Sequence, residues 1–235
     1  METPIFLSIL GYEEELSRAR GSIDGSAAMD VIRNLLHGLQ GVHLDVIRPP
    51  YSERPRFTEG VIRELFDSLP PVELEFHLMT PEPLSILNYV RAPSNEDPAP
   101  VASVHIEAFK DEEEASEALR EIRQMGFRPA VVLDLPTPTD SLPRSVVEEA
   151  ELIFVMSVLA GKGGQKFDSG AVRKVKWLRE AYPSKPLGVD GGINEMTGRL
   201  VIEAGADRLV VGSRITGSDD PLEALRNLRM GLKSP

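Results

Sequence analysis

The feature that most constrains this chain is the regular alternation of strand-like and helix-like segments along its 235 residues. Short apolar or β-branched runs recur between amphipathic stretches that have helical spacing. The predicted strands span 5–10, 42–47, 72–79, 102–107, 130–135, 152–158, 186–190 and 208–212. Alternation of this kind predicts parallel strands joined by helical crossovers.

Eight strand–helix units predict an α/β fold, a (β/α)8 TIM barrel, because this length lies close to the roughly 250 residues of such barrels. We expect residues 1–235 to form a single domain. A doubly wound sheet is the alternative, but no break in composition divides the strands into two halves. The segment 91–100, rich in proline and polar residues, is predicted to be a loop before the fourth strand.

The helices are predicted from spacing and from their terminal residues. Asn194 would cap one helix and Gly205 would end it. Asp219 or Asp220, followed by Pro221, would open the last helix in the same way. The clearest helical stretches span 27–39, 111–125 and 195–204.

Charge and composition exclude several classes of partner. The net charge of −11 disfavours nucleic acid and anionic membranes. We find no apolar run of membrane-spanning length and no secretory leader pattern. Cysteine is absent, which excludes disulfides and thiolate-bound metals. We therefore expect a cytoplasmic protein with neither a nucleic-acid nor a membrane partner, and exposed apolar side chains leave a homo-oligomer open.

Polar side chains lie at the ends of three predicted strands, where barrels of this kind hold their chemistry. His43 and Asp45 are two residues apart and share a face. His77 and Met79 share a face of the third strand, and Asp190 ends the seventh. Two nitrogens and two carboxylates predict a site for one divalent metal ion, namely zinc, iron(II), manganese or cobalt.

These residues also have structural interpretations that involve no metal ion. A lone histidine in a strand is usually a hydrogen-bonded core residue, and Asp190 could cap a turn before Gly191. His105 and Glu107 are interpreted as polar groups that support the site or the core. His37 is predicted to lie on the surface.

Glycine-rich loops follow the sixth, seventh and eighth predicted strands. Their backbone amides could bind an anion, and the loops after strands seven and eight form the usual phosphate site of such barrels. Turns alone also require glycine, so each pair is weak evidence by itself. The residues concerned are Gly161, Lys162, Gly163, Gly164, Gly191, Gly192, Gly212 and Ser213.

These motifs together resemble the ribulose-phosphate 3-epimerase family over almost the whole chain. The segments that carry the resemblance are FLSIL, HLDV, FHLM, VHIEAF, VMSVLAGKGGQKF, VDGGI, EAGADRLVVGS and DPLEALRNLR. The resemblance implies an isomerase that epimerises a phosphorylated ketose, most simply D-ribulose 5-phosphate to D-xylulose 5-phosphate.

The resemblance also implies roles for individual residues. Asp45 and Asp190 would be the catalytic acid–base pair, and both would bind the metal with His43 and His77. Ser8 and His77 would lie beside the substrate, and two methionines would form an apolar floor. Those methionines are Met79 and Met156.

Several positions depart from the family pattern. Ile47 stands where the family has methionine, and a loop bearing proline and arginine replaces an Asp-Gly turn. The departures bring Lys162, Arg54, Arg56 and Arg214 toward the predicted substrate rim, either as phosphate contacts or as solvated charges. A ketohexose 6-phosphate such as allulose 6-phosphate is therefore an alternative substrate.

Two other functional classes remain alternatives. A class I aldolase needs a buried lysine for its Schiff base, and no predicted strand interior supplies one. A barrel that binds sugar phosphates without catalysis would bind substrate but exchange no proton.

Overall fold

The computed structural model describes residues 2–90 and 98–233, and over these ranges it is a closed barrel of eight parallel strands. Each strand pairs with the next one in the chain, and the last pairs with the first. The strands are β1 (Ile5–Ser8), β2 (Gly41–Ile47), β3 (Glu73–Met79), β4 (Val101–His105), β5 (Arg128–Leu133), β6 (Leu152–Met156), β7 (Leu187–Asp190) and β8 (Arg208–Val211). The predicted (β/α)8 TIM barrel is confirmed, and the doubly wound alternative is wrong.

Helices connect the strands around the outside of the barrel. Within the described ranges they are α1 (Glu13–Arg18), α2 (Ala27–Leu36), α3 (Glu59–Ser68), α4 (Pro83–Tyr89), α5 (Glu112–Gln124), α6 (Arg144–Glu149), α7 (Gly170–Ala181), α8 (Glu195–Glu203), α9 (Ser213–Thr216) and α10 (Pro221–Lys233). No helix in these ranges is long and apolar enough to cross a membrane.

The helix boundaries show why the terminal residues were informative. Asn194 accepts hydrogen bonds from the backbone N–H groups of Met196 and Thr197, which caps α8 as predicted. Gly205 follows that helix with φ at +112°, a conformation that favours glycine. Asp220 accepts from the backbone N–H of Glu223 and so caps α10.

Strand ends differ more from the prediction than helix ends do. The predicted ends of the first and fourth strands form short 3-10 turns, Leu10–Tyr12 and Ile106–Ala108. Apolar pattern does not separate a strand end from the turn that follows it, so the first, fourth, fifth, sixth and eighth predicted strands run one or two residues too far, whereas the second, third and seventh end as predicted. The predicted loop 91–100 lies mostly outside the described residues, which resume at residue 98.

Alternation along each strand creates two apolar cores and one polar layer. On β3, Leu74, Phe76 and Leu78 pack against the helices in the larger core. A smaller core inside the barrel includes Phe6 and Phe154. Five inward positions of β2 and β3 carry buried polar residues, and the site is built on three of them. The five are His43, Asp45, Glu73, Glu75 and His77.

Candidate active site

Four side chains converge inside the barrel at the carboxyl ends of three strands. β2 supplies His43 and Asp45, β3 supplies His77, and β7 supplies Asp190; all four are buried. One donor atom from each lies within 4.8 Å of the other three. His77 Nδ1 is 3.4 Å from Asp45 Oδ1 and 3.3 Å from Asp190 Oδ2, and His43 Nε2 is 3.3 Å from His77 Nδ1.

This spacing suits one small cation. Four ligands at about 2.1 Å from a tetrahedral zinc ion lie roughly 3.4 Å from one another. His43 Nε2 lies 3.6 Å from Asp45 Oδ1 and 3.8 Å from Asp190 Oδ2, close to that value. Two imidazole nitrogens and two carboxylate oxygens also form a mixed donor set that a transition metal accepts. The residues present therefore fit a divalent metal ion.

The electrostatics of the cluster favour positive charge. Burial disfavours a charged imidazole, but the carboxylates of Asp45, Glu75 and Asp190 hold the pKa of His43 well above its ordinary value. The pKa of His77 is raised as well, because carboxylate hydrogen bonds outweigh burial. Burial also opposes ionisation of Asp45, yet the two imidazoles hold its pKa far below the usual range. A cation that replaces the imidazole protons would meet the ionised carboxylate of Asp45.

The second nitrogen of each imidazole has its own buried partner. His43 Nδ1 lies 3.1 Å from Glu75 Oε2. His77 Nε2 lies 2.9 Å from His105 Nε2, and His105 Nδ1 lies 3.3 Å from Glu107 Oε2. Polar partners of this kind fix the orientation of metal-binding imidazoles. His105 and Glu107 therefore support the cluster, as their position in the sequence suggested.

A cavity of about 590 Å³ opens directly above the cluster. Asp45 and Asp190 reach its wall, whereas His43 and His77 do not line it and are each only 1% exposed. Ser8 lines the same wall, and its hydroxyl donates to Asp45 Oδ2 at 2.6 Å. The two carboxylates are thus the members of the cluster that face the space a substrate would fill.

Apolar side chains close the lower part of the cavity. Met79 and Met156 line it, as does Ile47 at the position where the family has methionine. Met79 Sδ accepts a hydrogen bond from the backbone N–H of Gly161 at 3.1 Å, which joins the floor to the glycine loop. The polarizable methionine sulfurs give this floor an adaptable apolar surface.

The glycine loops form the opposite wall, and two of them need glycine for steric reasons. Gly161 has φ at +100°, and a Cβ there would lie 2.2 Å from the carbonyl oxygen of Tyr51. Gly192 has φ at +59°, and its Cβ would lie 2.6 Å from the backbone nitrogen of Phe167. The remaining predicted members of this wall also line the cavity, namely Lys162, Gly163, Gly164, Gly191, Gly212 and Ser213.

The arginines at the rim have acidic partners. Arg214 contacts the carboxylate of Glu195 through both Nε and Nη2. Arg56 lines the cavity, and its Nη1 donates to the buried carboxylate of Glu13 at 2.9 Å. Arg54 lies 3.7 Å from the same carboxylate and is not among the cavity-lining residues. The structure therefore brings Arg56, but not Arg54 or Arg214, to the cavity wall.

Sequence reasoning missed the charged residues beneath the cluster. Glu73, Glu75 and Arg208 lie inside the barrel, and Glu75 touches His43. The alternation in ELEFHLM places Glu73 and Glu75 on the same face as His77, so the signal was present in the sequence.

The described residues thus form a closed βα barrel with a buried imidazole–carboxylate cluster that could hold a metal ion at the base of its cavity. The model of the "Ribulose-phosphate 3 epimerase family" matches residues 22–216 of this chain. The chain belongs to the ribulose-phosphate 3-epimerase family, whose members are isomerases.

Curated relatives resemble the chain over most of its length. The ribulose-phosphate 3-epimerase of Bacillus subtilis is 32% identical over 198 residues, covering 82% of this chain and 87% of the relative. The enzyme of that name from Helicobacter pylori J99 is 35% identical, covering 81% and 87%. The cytoplasmic isoform from Oryza sativa is 32% identical and covers 88% of each chain.

Solved structures share the fold at low sequence identity. The orotidine 5'-monophosphate decarboxylase from Sulfolobus solfataricus superposes with a TM-score of 0.63 at 14% identity, covering 99% of this chain and 98% of the other. The thiamine phosphate pyrophosphorylase from Pyrococcus furiosus gives a TM-score of 0.58 at 14% identity, covering 98% and 95%. At this low sequence identity, the similarity supports a shared barrel fold and nothing about function.

Proposed function

We propose that this chain interconverts D-ribulose 5-phosphate and D-xylulose 5-phosphate by inverting the configuration at C3. One observation carries the proposal: carboxylates from β2 and β7, Asp45 and Asp190, meet at one buried cluster and both line the cavity above it. Family membership and the names of the curated relatives support the same reaction.

Inversion beside a carbonyl needs a base on one face of the carbon and an acid on the other. In the proposed direction, one carboxylate removes the C3 proton and the other returns a proton to the opposite face. Asp45 and Asp190 exchange these roles in the reverse reaction. The Ser8 hydroxyl holds Asp45 Oδ2 and so fixes the orientation of that carboxylate.

His43, Asp45, His77 and Asp190 are the proposed ligands of a divalent metal ion, with zinc, iron(II), manganese and cobalt as candidates. When bound, such an ion would supply positive charge for the enediolate oxygens that form once the C3 proton has left. Its mixed nitrogen and oxygen ligands argue against calcium or magnesium.

The rest of the cavity would hold the substrate in place. Met79, Met156 and Ile47 would exclude water from the reacting carbons. The backbone amides of the glycine loops would bind the phosphate, an anion that the overall charge of the chain would otherwise repel. His77, also predicted to contact substrate, would act instead as a ligand beneath the floor, because it is buried.

A ketohexose 6-phosphate such as allulose 6-phosphate is the second candidate substrate. The observation that favours it is Arg56, which the altered loop after β2 brings to the cavity wall.

The cytoplasm is our proposed compartment, and the rice relative's name supports it, although another relative is named as chloroplastic. A homo-oligomer also remains a proposal.

Proton exchange in deuterated water tests the function directly. Protein incubated with D-ribulose 5-phosphate should replace the C3 hydrogen by deuterium and produce D-xylulose 5-phosphate, followed by NMR. The same assay with allulose 6-phosphate ranks the two substrates by kcat/KM. Binding of both compounds without any exchange would favour the non-catalytic barrel, and trapping with borohydride would instead reveal an aldolase lysine.

A further inference from the structure

A chain of buried charges lies beneath the proposed metal ligands, on the side away from the cavity. Glu75 is fully buried, and its two carboxylate oxygens have different partners. Oε2 lies 3.1 Å from His43 Nδ1, and Oε1 accepts a hydrogen bond from Arg208 Nη1. The carboxylate therefore bridges an imidazole on β2 and a guanidinium on β8.

Arg208 is itself held on several sides. Its Nη1 lies 3.3 Å from Glu73 Oε1, and Arg128 Nη1 donates to that same oxygen at 3.0 Å. The guanidinium carbon of Arg208 lies 4.8 Å from the centre of the Phe6 ring, a cation–π distance. Two carboxylates and two guanidiniums thus contact one another in this network.

The strand register explains why Glu75 meets His43. Glu75 pairs with His43 across β2 and β3, and Gly41 pairs with Glu73 one pleat below. A Cβ at Gly41 would lie 2.0 Å from the carbonyl oxygen of Glu73, so the pairing depends on glycine there. The contact is therefore a consequence of the barrel's own register.

An ionised carboxylate accepts hydrogen bonds and cannot donate them. With a metal ion on Nε2, the His43 ring carries its proton on Nδ1, which lies 3.1 Å from Glu75 Oε2 and can donate to it. The other tautomer would direct an N–H at Asp45, Asp190 and His77, where a metal ligand must offer a lone pair. A carboxylate behind an imidazole also makes it a stronger ligand.

We propose that Glu75, held in place by Arg208, is a positioning residue that presents His43 Nε2 to the metal. This inference rests on the metal site of the proposed function. It assigns a task to charged residues that touch neither substrate nor metal. Arg128 has no part in it, since it reaches only the Glu73 end of the network.

The experiment measures zinc affinity of the apoprotein by competition with a chromophoric chelator. Glu75→Gln keeps the size of the side chain but removes its charge, and we expect affinity to fall by about 10- to 100-fold. Arg208→Met should lower affinity in the same direction, because the carboxylate loses the partner that fixes its plane. The double variant should bind zinc no more weakly than the weaker of the two single variants, because both changes interrupt the same chain of contacts from Arg208 through Glu75 to His43.

Arg128→Met is the matched control, because it removes a guanidinium from the same network without touching Glu75. All variants are first checked for fold by circular dichroism and thermal unfolding. Arg128→Met is expected to lose stability but to retain wild-type zinc affinity, whereas Arg208→Lys should recover part of the affinity that Arg208→Met loses. If Arg128→Met lowers zinc affinity as much as Arg208→Met does, the network is a stability element and the inference is wrong.

A second readout follows the imidazole itself. In zinc-loaded protein labelled with ¹⁵N-histidine, the Nδ1–H proton of His43 should resonate downfield in the wild type, as expected of a hydrogen bond to a carboxylate, and should move upfield in Glu75→Gln. Unchanged affinity and an unchanged Nδ1–H signal in Glu75→Gln, with zinc bound to the wild type, would overturn this inference alone. Wild-type protein that binds no divalent metal would overturn it together with the metal site, while the proton-exchange assay would still judge the epimerase separately.

Discussion

The cluster beneath the cavity and the glycine wall beside it are built in opposite ways. The cluster consists of buried side chains on strands, and three of them are held by a second partner: Asp45 by Ser8, His43 by Glu75 and His77 by His105. The wall consists largely of backbone, in loops whose conformations depend on positive φ values and close contacts at Gly161 and Gly192. In the proposed reaction, the chemistry would take place on strand residues, and the loops would anchor the substrate.

This difference predicts how each region responds to substitution. Removing a functional group from the cluster leaves the cavity in place but should stop the reaction, so we expect kcat to fall while KM changes little. Adding a methyl group to the glycine wall leaves the functional groups in place but should weaken phosphate binding, so we expect KM to rise while kcat changes little. Cluster variants that change mainly KM, or wall variants that change mainly kcat, would contradict this assignment of roles.

The largest effect is expected from the carboxylates. Asp45→Asn and Asp190→Asn each remove one of the two acid–base groups, and we expect kcat to fall by about 10³-fold or more. Steady-state assays and deuterium exchange at C3 measure the loss. Near-normal turnover in both variants, with folds intact by circular dichroism, would rule out the two-carboxylate reaction.

Removal of metal is expected to act almost as strongly. Chelation should suppress turnover and lower the thermal unfolding midpoint, because a ligand that binds only the folded state stabilises it. Adding back zinc, iron(II), manganese and cobalt separately should restore activity and rank the metals. Full activity in protein shown by elemental analysis to be metal-free would contradict the metal role.

Ser8 should have an intermediate effect on the cluster side. Ser8→Ala removes the hydroxyl that donates to Asp45 Oδ2 at 2.6 Å. Loss of one buried hydrogen bond to a charged group is worth about 1.5–3 kcal/mol, so we expect kcat to fall by about 10- to 100-fold while KM changes little. A change confined to KM would place Ser8 on the substrate rather than on the carboxylate.

The glycine wall offers a matched pair for the opposite response. Gly192→Ala would force a Cβ to within 2.6 Å of the Phe167 backbone at a φ of +59°, so the loop must move. Gly163→Ala adds a Cβ at a position without positive φ, where the nearest atom is a Leu10 methyl at 3.3 Å. We expect KM to rise about tenfold or more in Gly192→Ala and to stay close to wild type in Gly163→Ala. Equal effects would mean that the backbone conformation of the wall is not what binds phosphate.

The same division explains what the sequence could predict. His43, Asp45, His77 and Asp190 were predicted to share a site because alternation fixes their face and parallel strands align their ends. The barrel followed from the eight repeated units. Neither argument needs contacts between distant residues, since strand period and chain order are enough.

Partners across the barrel could not be predicted in this way. Arg208 meets Glu75 across 133 positions of sequence, and Arg214 turns to Glu195 because the helices α8 and α9 place them side by side. Strand ends such as residues 106–107 were also misjudged, since apolar runs continue into the turns. Pairing of charges and the exact exit of each loop depend on packing that periodicity does not encode.

The smallest effect is expected at the rim, where the sequence did not assign partners to four charged side chains. Arg214→Gln should change KM by less than about threefold, because the guanidinium contacts Glu195 and does not line the cavity. Arg56→Gln and Lys162→Gln should raise KM more, since both side chains line the cavity. Comparing KM for D-ribulose 5-phosphate and allulose 6-phosphate in these three variants sharpens the assignment. A selective loss for the six-carbon substrate in Arg56→Gln would identify the altered loop as the determinant of chain length, whereas an equal loss for both would place Arg56 with Lys162 among the phosphate contacts.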